Sequence, residues 1–103
     1  MYNYNSGYTN RPTGGVVQNA WMHLIITRLQ ATGFMTTYYN GVSVASGLDN
    51  SNYTANTCFI GHRSDFNEPL FADIGLFRVY KGTAFTSSMV TQNFNAHRGR
   101  FGV

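Results

Sequence analysis

FMTTYYNGVSV, residues 34–44, predicts a β-hairpin and therefore a fold built on antiparallel strands. The side chains on either side of Asn40-Gly41 are mostly β-branched or aromatic, and such residues favour strands. Both central residues of a type I′ turn need a positive φ, which Asn and Gly tolerate. We therefore expect a tight turn at Asn40-Gly41 that sets the pairing of the two strands.

The predicted two-residue loop also defines which side chains share a face of the hairpin. It places Tyr39 opposite Val42, and Thr37 opposite Val44. Because successive side chains of a strand point to opposite faces, Tyr38 lies on the other face from Thr37 and Tyr39. We expect the face with Thr37 and Tyr39 to point into the core, which leaves Tyr38 exposed.

Further strand patterns lie on both sides of this hairpin. Residues 21–29 are apolar on both faces, which is typical of a central strand rather than an edge strand. Residues 57–63 and 70–80 are also rich in β-formers, and Gly75 marks a bulge within the second of these. About five strands separated by turn signals predict an all-β antiparallel sandwich or barrel.

The two ends of the chain read differently from this strand region. Residues 1–20 are rich in Asn, Gly, Tyr and Thr and predict an N-terminal arm or loop. Thr86 can cap a short helix over residues 86–98, and Gly99 is a natural C-terminal stop. Residues 99–103 then form a tail, and the whole chain of 103 residues forms one domain.

Composition narrows the class of protein. Charged residues make up 11% of the chain, against about 25% in typical globular domains. The net charge of +3 rests on scattered basic residues, of which only Arg98 and Arg100 lie close together. Nucleic-acid binders show a concentrated basic stripe, so we expect no nucleic-acid partner.

The cysteine count and the hydropathy pattern bear on the compartment. Cys58 is the only cysteine, so an internal disulfide is excluded and folding in a reducing cytosol is indicated. The polar N-terminus predicts no signal peptide. No apolar run approaches the about 18 residues of a membrane span, so we expect no membrane association.

An ordered series of segments carries a family resemblance. The segments are Trp21-x-His23-Leu24-x-x-Thr27-Arg28, Tyr38-Tyr39-Asn40-Gly41-Val42, Ile60-Gly61, Leu70-x-Ala72-x-Ile74, Arg78-Val79-Tyr80 and Ala84-Phe85-Thr86. Together they resemble the C-terminal half of the laminin-G-like, concanavalin A-like lectin/glucanase jelly roll. The stretch at 90–102 is similar to the C-terminal helix and tail of such domains in structural proteins of tailed phages, particularly marine ones. The family usually has Phe and Gly where Leu70 and Ala72 stand.

This resemblance implies a partial jelly roll of the concanavalin A-like type, an antiparallel β-sandwich with a short C-terminal helix. It also implies a phage virion structural protein: a capsid decoration, head or tail component that is synthesised in the host cytoplasm and acts by protein–protein assembly. Its partners would be other virion proteins or copies of itself. The alternative is a glycan-binding lectin module that recognises host surface polysaccharide. The unmatched half is explained by a trimmed fold, by strands from another chain or by a longer product.

The residues that could support catalysis do not form a pattern. A glycoside hydrolase needs two carboxylates facing each other across the scissile bond. The acidic residues are Asp49, Asp65, Glu68 and Asp73, and no two alternate on a predicted strand. No Gly-x-Ser-x-Gly nucleophile motif is present, and Cys58 reads as a buried inert thiol. We expect the chain not to be an enzyme.

Metal ligands are sparse as well. His23, His62 and His97 lie far apart in sequence without the spacing of a metal motif, so no cofactor is predicted. Many laminin-G-like domains hold calcium with Asp and backbone carbonyls. That resemblance leaves calcium open, with Asp73 or Asp49 as the candidate ligands.

Aromatic and basic residues are the candidate contact sites. Tyr38, Tyr53 and Tyr80 could stack on sugar rings or contact a partner, and Tyr38 is the best exposed of them. Trp21 shares this chemistry, but we expect it to lie in the core.

Three residues close to the C-terminus form a second candidate site. Arg98, Arg100 and Phe101 are either a frayed cationic tail or an assembly contact, because Arg and aromatic residues are enriched at interface hot spots.

Overall fold

The computed structural model describes residues 17–49, 60–61 and 69–103. These contain one three-stranded antiparallel sheet, in the order β1-β2-β3, and one helix. The elements are β1 Leu24–Leu29, β2 Phe34–Tyr39, β3 Val42–Leu48 and α1 Ser87–Phe101. The predicted antiparallel strands and C-terminal helix are therefore confirmed. A sandwich or jelly roll needs a second sheet and stays a prediction.

The β2–β3 hairpin turns at Asn40-Gly41 as predicted. Asn40 has φ 48° and Gly41 has φ 82°, so both central residues take the left-handed conformation that a type I′ turn requires. Tyr39 pairs with Val42 directly across the turn. The pair of residues at the turn thus determines the start of the β2–β3 ladder.

Further from the turn the predicted register is wrong by one residue. A bulge between Thr37 and Tyr38 lets Tyr38 pair with Ser43 while Thr37 pairs with Ala45 instead of Val44. Val44 is the extra residue of β3, and 37% of its surface stays exposed. Turn chemistry determines only the first pairs of a hairpin, because an inserted residue shifts every pair beyond it.

Strand β1 lies at one side of the sheet that the described residues form, and its predicted central position stays a prediction. It pairs with β2 from Leu24↔Tyr39 to Leu29↔Phe34, and β2 is the strand with a neighbour on each side. Leu24 is 49% exposed and Ile26 is 40% exposed. Apolar side chains on both faces allow a central position, but they do not supply the second neighbouring strand.

The segment 69–85 differs most from its prediction. Residues 70–80 form no strand, although they are rich in β-formers, and each of them is exposed. Phe71 is 94% exposed and Val79 is 77% exposed. Because the strand is absent, the predicted bulge at Gly75 is wrong as well. A Cβ on Gly75 would lie 2.6 Å from Phe101 Cε1. Gly75 instead leaves room for this ring.

Helix α1 begins where the sequence predicts and ends later. Thr86 is the N-cap, and its Oγ1 accepts a hydrogen bond of 3.3 Å from Met89 N. Gly102, with φ 68°, ends the helix, and its N–H donates to the Arg98 carbonyl. The predicted stop at Gly99 is wrong because Gly99 lies inside α1. The helix therefore includes Phe101, which the prediction assigned to the tail.

The core of the described residues is small, and its buried residues lie on α1 and on the sheet. Val90 and Phe94 are the buried residues of α1. On the sheet, Met35 and Thr37 are almost fully buried. A Cβ built on Gly41 would lie 3.0 Å from Phe94 Cδ1, so the helix packs directly on the hairpin turn.

Candidate functional site

His23, immediately before β1, joins the hairpin turn to the helix. Its backbone N–H donates to Asn40 Oδ1 at 2.9 Å, and its carbonyl accepts from Asn40 N at 2.8 Å. Its imidazole Nε2 lies 3.3 Å from Asn93 Oδ1 on α1. The ring centroid is 5.7 Å from that of Phe94. His23 therefore contacts both the hairpin turn and α1.

A second imidazole lies beside the first. The rings of His23 and His97 are nearly parallel, with 14° between their planes and 6.4 Å between their centroids. His97 Nδ1 lies 2.7 Å from the backbone carbonyl oxygen of Asn93. Asn93 therefore contacts both rings, one through its side chain and one through its backbone. We call His23, Asn93 and His97 the histidine cluster.

The environment of His23 changes its acid–base behaviour. Burial lowers the pKa of His23 from 6.5, the hydrogen bond with Asn93 raises it, and the nearby His97 lowers it again. Burial is the largest of these effects, so the neutral imidazole is favoured. The cluster thus contains a histidine that resists protonation near neutral pH.

A cavity of about 1150 Å³ adjoins the histidine cluster, whose three residues are part of its lining. It is lined by residues of β1, of the segment 69–85 and of α1. Its lining includes five exposed apolar side chains, which we call the open apolar face: Trp21, Leu24, Ile26, Phe71 and Phe77. Polar groups are also present, because Arg28, Asp73 and Arg78 line the same cavity.

Trp21 stands at this cavity and not in the core. It is 43% exposed, and its ring centroid lies 5.0 Å from that of Phe101. The prediction of a core tryptophan is therefore wrong. The indole lies close to Phe101 and Gly75, and these contacts do not cover it completely.

The three candidate tyrosines have different environments. Tyr38 is only 8% exposed, so its prediction as the best exposed contact residue is wrong. Thr37 next to it is also buried, which means that both faces of the central strand β2 are covered. Tyr80 is 52% exposed and its ring lies 4.7 Å from Phe85. Tyr53 lies outside the described residues.

The C-terminal candidates belong to the last turns of α1. The guanidinium of Arg98 lies 5.0 Å from the Phe94 ring centroid, and its Nε donates to the Val103 carbonyl at 2.7 Å. The guanidinium of Arg100 lies 5.5 Å from the centroid of Phe101. Cations near the C-terminal end of a helix also interact favourably with the helix dipole. The structure therefore brings Arg98 and Phe101 to the cavity; an assembly contact there stays a prediction.

The acidic and metal-ligand candidates are only partly described. Asp49 is fully buried, and its carbonyl accepts from Arg28 Nη2 at 3.0 Å, whereas Asp73 is exposed at the cavity. Within residues 17–49, 60–61 and 69–103, no group of three or more His, Cys, Asp or Glu side chains could hold a metal ion. The remaining candidates lie outside these ranges: Cys58, His62, Asp65 and Glu68.

Sequence reasoning does not identify the histidine cluster. Asn93 and His97 are four residues apart on a predicted helix, so their shared face could be inferred. No local signal links His23 to them, because the contact spans 70 residues. It forms only when α1 packs on the hairpin.

Two broader findings complete the description. Among the described helical residues, nothing combines the length and the apolar character that crossing a bilayer demands. Comparisons with protein-family models, curated proteins and solved structures found no match. The resemblance to laminin-G-like domains therefore remains a prediction from sequence.

Proposed function

We propose that this chain is a non-enzymatic structural component of a phage virion, acting in the capsid decoration, head or tail through protein–protein assembly. The observation that supports assembly is the open apolar face. Phe71 at 94% exposure and Phe77 at 55% leave most of two aromatic rings in water. Large contiguous apolar patches are uncommon on monomeric proteins and mark interaction sites.

The backbone beside this face supports the same proposal. In the sheet formed by the described residues β1 is an outer strand, which pairs with β2. Residues of β1 and of the segment 69–85 line one cavity. A strand from a neighbouring copy or another virion protein would pair with the edge of β1 and cover Leu24 and Ile26.

The virion part of the proposal rests on the sequence resemblance of the stretch 90–102 to phage structural proteins. The test is mass spectrometry of purified particles from the phage that encodes the chain. We expect the chain at a fixed stoichiometry relative to the major capsid protein. Its absence from intact particles, while it is abundant in the infected cell, would refute this part.

Glycan binding is a second candidate, and the position of Trp21 favours it. An indole that is 43% exposed beside Arg28, Asp73 and Arg78 offers an apolar face and polar partners, as sugar recognition requires. A glycan array with the parent chain and Trp21→Ala tests it, with Tyr80→Ala as an aromatic control. Binding that only Trp21→Ala removes would establish a lectin; an empty array would leave assembly alone.

A further inference from the structure

We propose that the histidine cluster forms an acid-sensitive latch, which holds α1 on the hairpin turn at neutral pH and releases it when His23 becomes protonated. The proposal concerns the histidine cluster and does not depend on the virion assignment. Its basis is the position of the proton on each ring and the buried Nδ1 of His23, which has no hydrogen-bond partner among the described residues.

The hydrogen bonds determine which ring nitrogen carries the proton. Both Asn93 atoms in contact with the rings are oxygens that accept, so His23 donates from Nε2 and His97 donates from Nδ1. His23 Nδ1 is then an unprotonated lone pair. It is buried and has no hydrogen-bond partner among the described residues. A proton added there would create a buried donor without an acceptor.

Charges around the cluster also oppose protonation. On α1 the titratable groups beside His23 are His97 and the guanidinium of Arg98, which lies over Phe94. The hairpin turn presents Tyr39 and the neutral Asn40. The remaining titratable side chains lie around the adjoining cavity: Arg28, Asp73, Arg78 and Tyr80. Among the described residues that line the cavity, Asp73 is the one carboxylate side chain. The same lining contains three arginines: Arg28, Arg78 and Arg98.

The sign of the pH effect follows from the lowered pKa of His23. In the docked state burial holds this pKa below 6.5, whereas a His23 released into water regains the ordinary value. Acid therefore favours the released state. Above pH 6.5 the neutral His23 makes its full contribution to the stability of the docked state. This contribution is lost as the pH falls from 6.5 to the lowered pKa of His23. Each unit between the two pKa values corresponds to a tenfold change in the docking equilibrium.

Release of α1 would change the surface that the chain offers. Val90 and Phe94, both buried under neutral conditions, would become exposed. Phe101 would leave the ring of Trp21, which lies 5.0 Å away when α1 is docked. The latch thus couples acidity to the amount of apolar surface at the cavity.

Trp21 provides the readout, because it is the only tryptophan of the chain. We expect its fluorescence emission to shift to longer wavelength between pH 7.5 and pH 5, reversibly and at constant salt. His23→Gln and His97→Gln should remove most of this shift. His62→Gln, which changes the third histidine, should leave it unchanged. An emission spectrum that is constant over this range, or equal shifts in all three variants, would overturn the proposal.

A measurement on the parent chain covers the case in which a variant does not fold. The C2 protons of the three histidines can be followed by NMR during the same titration. We expect the resonance of His23 to titrate below 6.5 and the α1 amides to change with it. Titration of His23 at or above 6.5, or α1 amides that do not respond, would also overturn the latch.

Discussion

The hairpin with its helix and the segment 69–85 are built from similar residues but have different structures. In the first region Asn40-Gly41 turns the chain, β2 has neighbours on both sides, and Phe94 packs on the turn. In the second, aromatic and β-branched residues follow one another without strand pairing, and Phe71 is 94% exposed. Strand-forming side chains are therefore not sufficient for a strand.

The difference shows where the information for each region resides. A type I′ turn and a helix cap act within a few residues, so they organise the chain without distant help. An extended segment needs a neighbouring backbone edge, and among the described residues the segment 70–80 has the backbone hydrogen bond from Leu70 N to Gly61 O but forms no strand. We therefore expect the structure of the segment 69–85 to depend on contacts distant in sequence more than that of the hairpin does.

The largest contrast is expected from deleting the same side chain in both regions. Phe94→Ala removes a buried ring that touches the hairpin turn, and should cost about 3 to 5 kcal/mol. Phe71→Ala removes an exposed ring and should change stability by less than about 0.5 kcal/mol. Because a small domain has only about 5 to 15 kcal/mol in total, urea melts separate the two variants clearly. Equal losses would show that Phe71 is packed and that the contrast is wrong.

The turn itself can be tested with two glycines that share a conformation. Gly41→Val forces a β-branched residue to φ 82° and places its Cβ 3.0 Å from Phe94 Cδ1. We expect a cost of about 2 to 5 kcal/mol from backbone strain and overpacking together. Gly82→Val has the same backbone problem at φ 87° with nothing within 4 Å of the new Cβ. It should cost only the strain, about 1 to 3 kcal/mol.

Thermal melts of these two variants measure the packing contribution as a difference. A Gly41→Val melt equal to that of Gly82→Val would mean that α1 does not press on the turn. A melt equal to that of the parent would mean that the turn is not type I′.

The smallest effect concerns the start of α1. Thr86→Ala removes the oxygen that accepts from Met89 N, and should cost about 1 kcal/mol. Thr91→Ala is the matched control, since Thr91 is exposed inside the helix and its hydroxyl bonds the Ser87 carbonyl. It should be neutral or slightly stabilising, because Ala is the better helix former. Circular dichroism at 222 nm during urea titration follows both; a loss of the same size in both variants would exclude a capping role.

Prediction from sequence succeeds in this chain where a rule is local. Asn40-Gly41 and Thr86 each specify their own backbone, and both positions are confirmed. The errors arise where a distant contact decides. The bulge that pairs Thr37 with Ala45 has no local sequence signal. The helix ends at Gly102 and not at the predicted Gly99. Phe101 packs on Trp21 in that last turn.

The candidate site was less predictable than the fold for the same reason. Tyr38 is buried on the face of β2 opposite Thr37, and the alternation of residues along the strand does not reveal that both faces are covered. Trp21 is exposed even though Phe101 and Gly75 lie close to its ring. His23 meets His97 only through the packing of α1. The type of each residue suggested a role, but the neighbouring residues in the fold determine whether its side chain is buried and what it contacts.

The oligomeric state of the full chain tests the central claim most directly. Light scattering at physiological salt should give a mass above that of one chain that increases with concentration, because we propose that the open apolar face binds a neighbouring copy. Phe71→Lys should lower this mass without lowering the melting temperature. A parent chain that stays monomeric, soluble and cooperatively folded across that concentration range would contradict the account.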